Sequence, residues 1–223
     1  MYIFLGFFFL SWLFYTVFYF RLNKELVFFL KMLTSALLFA YALIAAFRSG
    51  DPDYSSFVIV AIGLGVLGDL FLGLQMIDRK RKHLHLLLGI ASFFSGHVFY
   101  CLAFQKYARL PYYVCLPLAV IIMLISLVFI QRKQFNLGKA KFFSLAYVFI
   151  SSLFLILAFG TLKSGFHIFS IFAAFGALAF SASDFVLAFL YFRSVKKYRL
   201  VKYINIVLYY LGQALLVSTV LLV

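Results

Sequence analysis

Apolar residues run along this chain in blocks of about twenty, with the polar residues collected between them. A helix rises about 1.5 Å per residue, so about 20 apolar residues cross the hydrocarbon core of a bilayer. That length predicts eight spans, at residues 2–20, 26–47, 56–75, 85–104, 111–130, 142–161, 166–190 and 203–223. Only the stretch TLKSG parts the sixth from the seventh. The connections are short and contain no low-complexity tract or linker. One domain over 1–223 is therefore expected, an all-α polytopic membrane bundle. The first twenty residues carry no basic leader and no small-x-small cleavage pattern, and are expected to be a retained span.

Composition agrees with this reading. Of 223 residues, 66% are hydrophobic and 12% charged, and the mean hydropathy is +1.10, too apolar for water to be the solvent. The net charge of +14 is unevenly spread. Fifteen of the twenty Lys and Arg lie in the first, third, fifth and seventh connections, and four in the even ones (Arg48, Lys106, Arg109 and Lys163). Lys31 lies within a span. By the positive-inside rule the odd connections are cytoplasmic and both termini face out. The charge then needs no nucleic-acid partner, while a basic inner rim attracts anionic membrane lipids. A multi-pass protein of a bacterial inner membrane suits the compact loops.

Two aspartates interrupt the apolar pattern. Asp69 sits in GVLGDLFLGL and Asp184 in FGALAFSASDFVLAF. A carboxylate at a span centre costs about 2.5–3.5 kcal/mol on insertion scales, so neither is expected to face lipid. Both spans run outside to inside, and both acids fall at one depth, roughly 10 Å below the cytoplasmic boundary. Ala61, Gly65, Asp69 and Gly73 form one small-residue stripe, and Ala173, Ala177, Ser181, Asp184 and Ala188 another, so each acid points into the bundle. On the same half lie Lys31, Tyr147 with Ser151 and Ser152, and the i, i+4, i+8 set Asn205, Tyr209 and Gln213 with Tyr210 beside it. His97 and Tyr100 lie deeper in the fourth span. Individually these are interface tyrosines, a snorkelling lysine or helix glue; jointly they predict a polar cavity.

Several chemistries lack their residues. His83 and His85 are two apart and share no helical face, so no metal site is expected. No G-x-S-x-G elbow and no P-loop occurs, and no cofactor is called for. Cys101 and Cys115 are expected to be buried free thiols. Two neighbouring carboxylates in low dielectric do not both ionise cheaply; one holds a proton while the other stays charged, which supplies a general acid and a base.

The motifs G-D-x-x-L in the third span, F-x-x-G-H-x-x-Y in the fourth, S-D-x-x-L-A in the seventh and Y-Y-x-x-Q in the eighth resemble the YhhN family of integral-membrane lysoplasmalogenases. The resemblance runs from about Lys31 to Gln213, and departs where the family carries a Lys-Pro pair and this chain has Lys31 and Met32. It implies hydrolysis of the vinyl ether bond of a lysophospholipid substrate, a lysoplasmalogen, to a fatty aldehyde and a glycerophospho-base. Asp69 and Asp184 would be the catalytic pair. Lys31, Tyr100, Tyr147, Tyr209 and Tyr210 would bind phosphate or glycerol oxygens, His97 and Gln213 would shape the cavity, and Ser183 would join them in binding substrate. The rival reading is a proton-coupled transporter using the same two acids, favoured by loosely similar [GS]-D-x-x-L contexts in a possible four-plus-four repeat. An intramembrane aspartyl protease is weaker, since V-L-G-D stands where G-x-G-D is needed. A scaffold without chemistry is the remaining alternative.

Overall fold

The computed structural model describes residues 2–193 and 195–223, without the side chains of Tyr2 and Lys139; Met1 and Ser194 of the expected domain, and the Lys139 side chain, lie outside the described residues. The described residues form eight α-helices: α1 (Tyr2–Phe18), α2 (Lys24–Ala46), α3 (Pro52–Ile77), α4 (Lys82–Gln105), α5 (Tyr112–Arg132), α6 (Lys141–Gly160), α7 (Ile168–Phe192) and α8 (Tyr198–Ser218). Short 3-10 turns precede α6, follow it, and follow α8. There is no strand among the described residues.

Seven of these helices are long and apolar enough to cross a membrane. The expected first span is the exception. With 17 residues α1 is roughly 25 Å long, about a turn short of the hydrocarbon core. It nevertheless docks firmly: Phe8 and Tyr15 are buried, and Ser11 Oγ lies 2.8 Å from Thr34 Oγ1 of α2.

Local chemistry sets the helix starts. Asn23 caps α2 by accepting from the Leu26 N–H at 2.9 Å. Asp51 caps α3 by accepting from the Tyr54 N–H, with Pro52 in the first turn. α3 therefore begins four residues before the expected 56, and α8 begins five before the expected 203.

α3 packs most extensively on α4, and α7 on α8; α2 joins α3, and α6 links α4, α5 and α7. Glycines set the closest approaches. A Cβ on Gly212 would stand 2.7 Å from the Phe180 backbone nitrogen, and one on Gly96 3.1 Å from the Ala61 carbonyl oxygen. α5 is different: it leans on α6 and leaves most of its surface exposed.

The connections segregate as their parity predicts. At one end Gly50 donates to the Val223 carbonyl at 2.8 Å, Lys106 pairs with Asp51 at 2.5 Å, and Arg109 donates to the Gly160 carbonyl. At the other, Phe20 stacks edge-on with Tyr198 and Tyr203, and Asn136 donates to the Phe192 carbonyl.

Candidate functional site

Asp69 lies eight residues before the end of α3 at Ile77, and Asp184 eight before the end of α7 at Phe192. Both helices end on the odd-connection side, so each acid sits roughly 12 Å along its axis from that end.

Asp69 is 2% exposed and surrounded by donors from two helices, α2 and α8. Lys31 and Ser35 are one turn apart on α2 and reach it together. Lys31 Nζ lies 2.9 Å from Oδ1, while the Ser35 hydroxyl donates to Oδ2 at 2.6 Å. From α8, the Tyr209 hydroxyl donates to Oδ2 at 2.7 Å. The Tyr210 hydroxyl bridges Ser35 Oγ at 3.0 Å and the Lys31 carbonyl at 3.2 Å. A carboxylate beside an ammonium group that also accepts two hydroxyl hydrogen bonds has both of its oxygens matched by donors.

Asp184 has a different environment. Tyr147 of α6 donates to its Oδ2 at 2.8 Å. His97 of α4 is 1% exposed, and its Nε2 lies 3.4 Å from the same oxygen without making a hydrogen bond. The other ring nitrogen, Nδ1, is 2.8 Å from the Phe93 carbonyl. A carbonyl only accepts, so Nδ1 carries hydrogen. Nε2 and Oδ2 then face each other as two acceptors unless a proton lies between them, on the imidazole or on the carboxyl. The rings of Tyr147, Phe154 and Phe180 pack around His97 with centroids at 5.2, 5.0 and 4.8 Å.

Both aspartates line one cavity of about 230 Å³, together with Lys31, Ser183, Tyr209 and Tyr210. Tyr147 lines an adjoining cavity instead. His97 stands behind Asp184, outside both walls. Tyr100 and Gln213, expected at the cavity, lie on neither wall: the Tyr100 hydroxyl donates to Gln213 Oε1 at 2.7 Å in a buried pair joining α4 to α8. Ser183 also ties helices together. Asn205 Nδ2 donates to the Ser183 carbonyl at 3.0 Å and to its Oγ at 2.8 Å, while Ser183 Oγ donates to the Asn205 carbonyl at 3.2 Å. Cys101 and Cys115 are buried free thiols, as expected. Among the described residues, no three His, Cys, Asp or Glu side chains converge to hold a metal ion.

A family model, the YhhN family, matches residues 26–220. The chain belongs to the YhhN family. No curated protein and no solved structure matches it. The YhhN region takes in every polar partner of Asp69 and Asp184 described above. α1 lies outside it, although its Phe8, Trp12 and Tyr15 pack against Tyr210 at 6.1, 6.2 and 6.0 Å.

Among the polar groups of this YhhN chain that the sequence reading did not single out are Ser35, behind Asp69, and Lys202, on the cavity wall. Ser35 bonds Asp69 directly, and its spacing of four from Lys31 was the available signal. Lys202, which reads as loop charge, sits in the first turns of α8 on the cavity wall, its Nζ 3.3 Å from Asn205 Oδ1 and 5.3 Å from the Tyr19 ring centroid.

Proposed function

We propose that this protein hydrolyses the vinyl ether bond of lysoplasmalogens, with Asp184 as proton donor and Asp69 as the permanent anion. The reading is carried by one observation: two intramembrane carboxylates face the same cavity in unlike surroundings, one against Lys31, Ser35 and Tyr209, the other against Tyr147 with His97 Nε2 3.4 Å away. Membership of the YhhN family supports the same reaction class.

The chemistry follows from that division. Asp184 delivers its proton to the alkene carbon remote from the ether oxygen, leaving an oxocarbenium ion at the carbon next to it. The fixed negative charge of Asp69 stabilises that cation and orients a water molecule. Water adds at the cationic carbon and its released proton restores Asp184. The resulting hemiacetal breaks its bond to the glycerol oxygen, which takes up a proton, while the other fragment leaves as the aldehyde. Lys31 cannot serve both Asp69 and a phosphate fully, so the phosphate falls to Lys202, which has no carboxylate within ion-pair distance among the described residues.

Purified protein given a lysoplasmenylethanolamine should release aldehyde, and Asp69→Asn and Asp184→Asn should each lower turnover by at least about a hundredfold with the fold retained. Wild-type turnover in either variant removes the two-acid mechanism. The second reading, proton-coupled transport, draws on the like placement of the two acids in α3 and α7, each paired with its following helix. It requires substrate flux that follows an imposed proton gradient in liposomes and no aldehyde.

A further inference from the structure

Asp184 stands on a wall shared by two cavities of opposite character. The first is the polar one, where Lys31, Asp69, Lys202 and several tyrosine hydroxyls gather. The second, about 260 Å³, lies among α4, α5, α6 and α7 and is walled by such residues as Leu86, Ile122, Phe129 and Leu155. Leu72, Phe93, Asp184, Leu187 and Tyr191 line both. Two of the hydroxyls on the apolar wall are turned to the protein: Ser151 donates to Ser181, and Ser152 donates back to the Val148 carbonyl at 2.7 Å.

We infer that the apolar cavity is the hydrocarbon-chain site of a single-chain glycerophospholipid whose head group occupies the polar cavity, so that the junction of chain and head passes Asp184. The reading of the reaction supplies the identity of the bond at that junction; the occupancy itself stands on the geometry. Three features commit the site to this occupant. Continuity is the first, because the five shared residues leave the two cavities a common boundary. Charge is the second: beside the Lys31–Asp69 ion pair the polar side carries a further lysine, Lys202, with no carboxylate within ion-pair distance among the described residues, so its Nζ can turn to a phosphate. Size is the third. At about 260 Å³ the apolar cavity falls below the roughly 300–1,000 Å³ of drug-sized ligand sites, which suits one hydrocarbon chain better than two. The direction is also fixed. The rings of Phe129, Phe135 and Phe189 close the end near the odd connections, with centroids 4.9–6.2 Å apart, while Ile122 and Leu155 lie deeper in the bilayer. The chain therefore runs from Asp184 towards the membrane midplane.

The test uses the full-length protein in nanodiscs and a 1-alkyl lysophospholipid, which has no vinyl ether to cleave, carrying a diazirine near the end of its chain. After illumination, peptide mapping should find the label concentrated on Ile122, Ser126 and Leu155, and excess unlabelled lysophospholipid should remove it. Ile122→Trp should lower labelling about tenfold, and the milder Ser126→Phe should shift labelling towards probes with shorter chains, each with an unfolding temperature close to wild type. Label spread evenly onto the lipid-facing Ile121 and Ile125, or unchanged by both substitutions, overturns the chain site. Aldehyde release from the vinyl ether analogue is scored separately. Labelling inside the cavity without aldehyde leaves the chain site standing and removes the hydrolase reading.

Discussion

His97 Nε2 points at Asp184 Oδ2 across 3.4 Å, while Nδ1 of the same ring is fixed 2.8 Å from the Phe93 carbonyl. The ring can neither turn over nor lend Nδ1 to another partner without losing a buried hydrogen bond. In the proposed reaction His97 would act as a positioning residue for Asp184. His97→Gln should reduce kcat roughly 10- to 100-fold, within the range of general acid–base contributions, with KM changed less than about twofold. The pH–rate profile of the variant should differ in shape from that of wild type. An unaltered profile in the variant would leave His97 as packing alone.

The Lys31–Asp69 pair should behave as a buried ion pair. Lys31→Met strands the Asp69 carboxylate and should cost about 3–5 kcal/mol. Adding Asp69→Asn removes the stranded charge and should recover most of that stability while leaving the protein inactive. Thermal unfolding of the two single variants and the double variant measures the coupling; additive losses would mean the pair is solvated.

At the opposite end, Asp51 accepts from Lys106 and Tyr107 and caps α3. Its carboxyl is held down to about 2, first by the Lys106 ammonium and then by the Tyr107 hydroxyl. The folded value lies below the unfolded value of about 3.9, so the stabilisation is complete above pH 4 and disappears as pH falls towards 2. Lys106 is half exposed, and solvent screening reduces the effect to about 1 kcal/mol. Unfolding temperatures between pH 5 and pH 2 should fall more steeply for wild type than for Asp51→Asn.

Gly212 and Gly6 make a matched pair. Gly212→Ala drives a Cβ to 2.7 Å from the Phe180 nitrogen and 2.9 Å from the Gly176 carbonyl oxygen, both backbone atoms that cannot swing away. It should destabilise α7–α8 by about 1–3 kcal/mol. Gly6→Ala meets nothing within 4 Å and should leave stability unchanged or slightly raised. Equal unfolding temperatures would contradict the close crossing.

Periodicity and span length located most helices, because lipid demands long apolar runs of any segment that crosses it. They misplaced the starts of α3 and α8 for one reason. Asp51 and Pro52 look like loop residues but are a cap and a first-turn proline, and Arg199 and Lys202 look like interface charges although their backbone is already helical. The two acids and Lys31 were legible because charge inside a span demands a partner. Ser35 was not, since a lone serine in a membrane helix carries no such penalty. Tyr100 and Gln213 share the polarity of cavity residues, yet satisfy each other. A one-dimensional pattern does not separate a polar group that awaits a ligand from one already paired across two helices.

α5 supplies one wall of the apolar cavity while resting on little besides α6, with most of its length turned to the lipid. A molecule dissolved in the bilayer would approach this wall from the lipid side. For such a guest the effective dose is its mole fraction among the surrounding lipids. Diluting the host membrane with inert phospholipid should slow turnover at constant bulk concentration, the signature of two-dimensional supply.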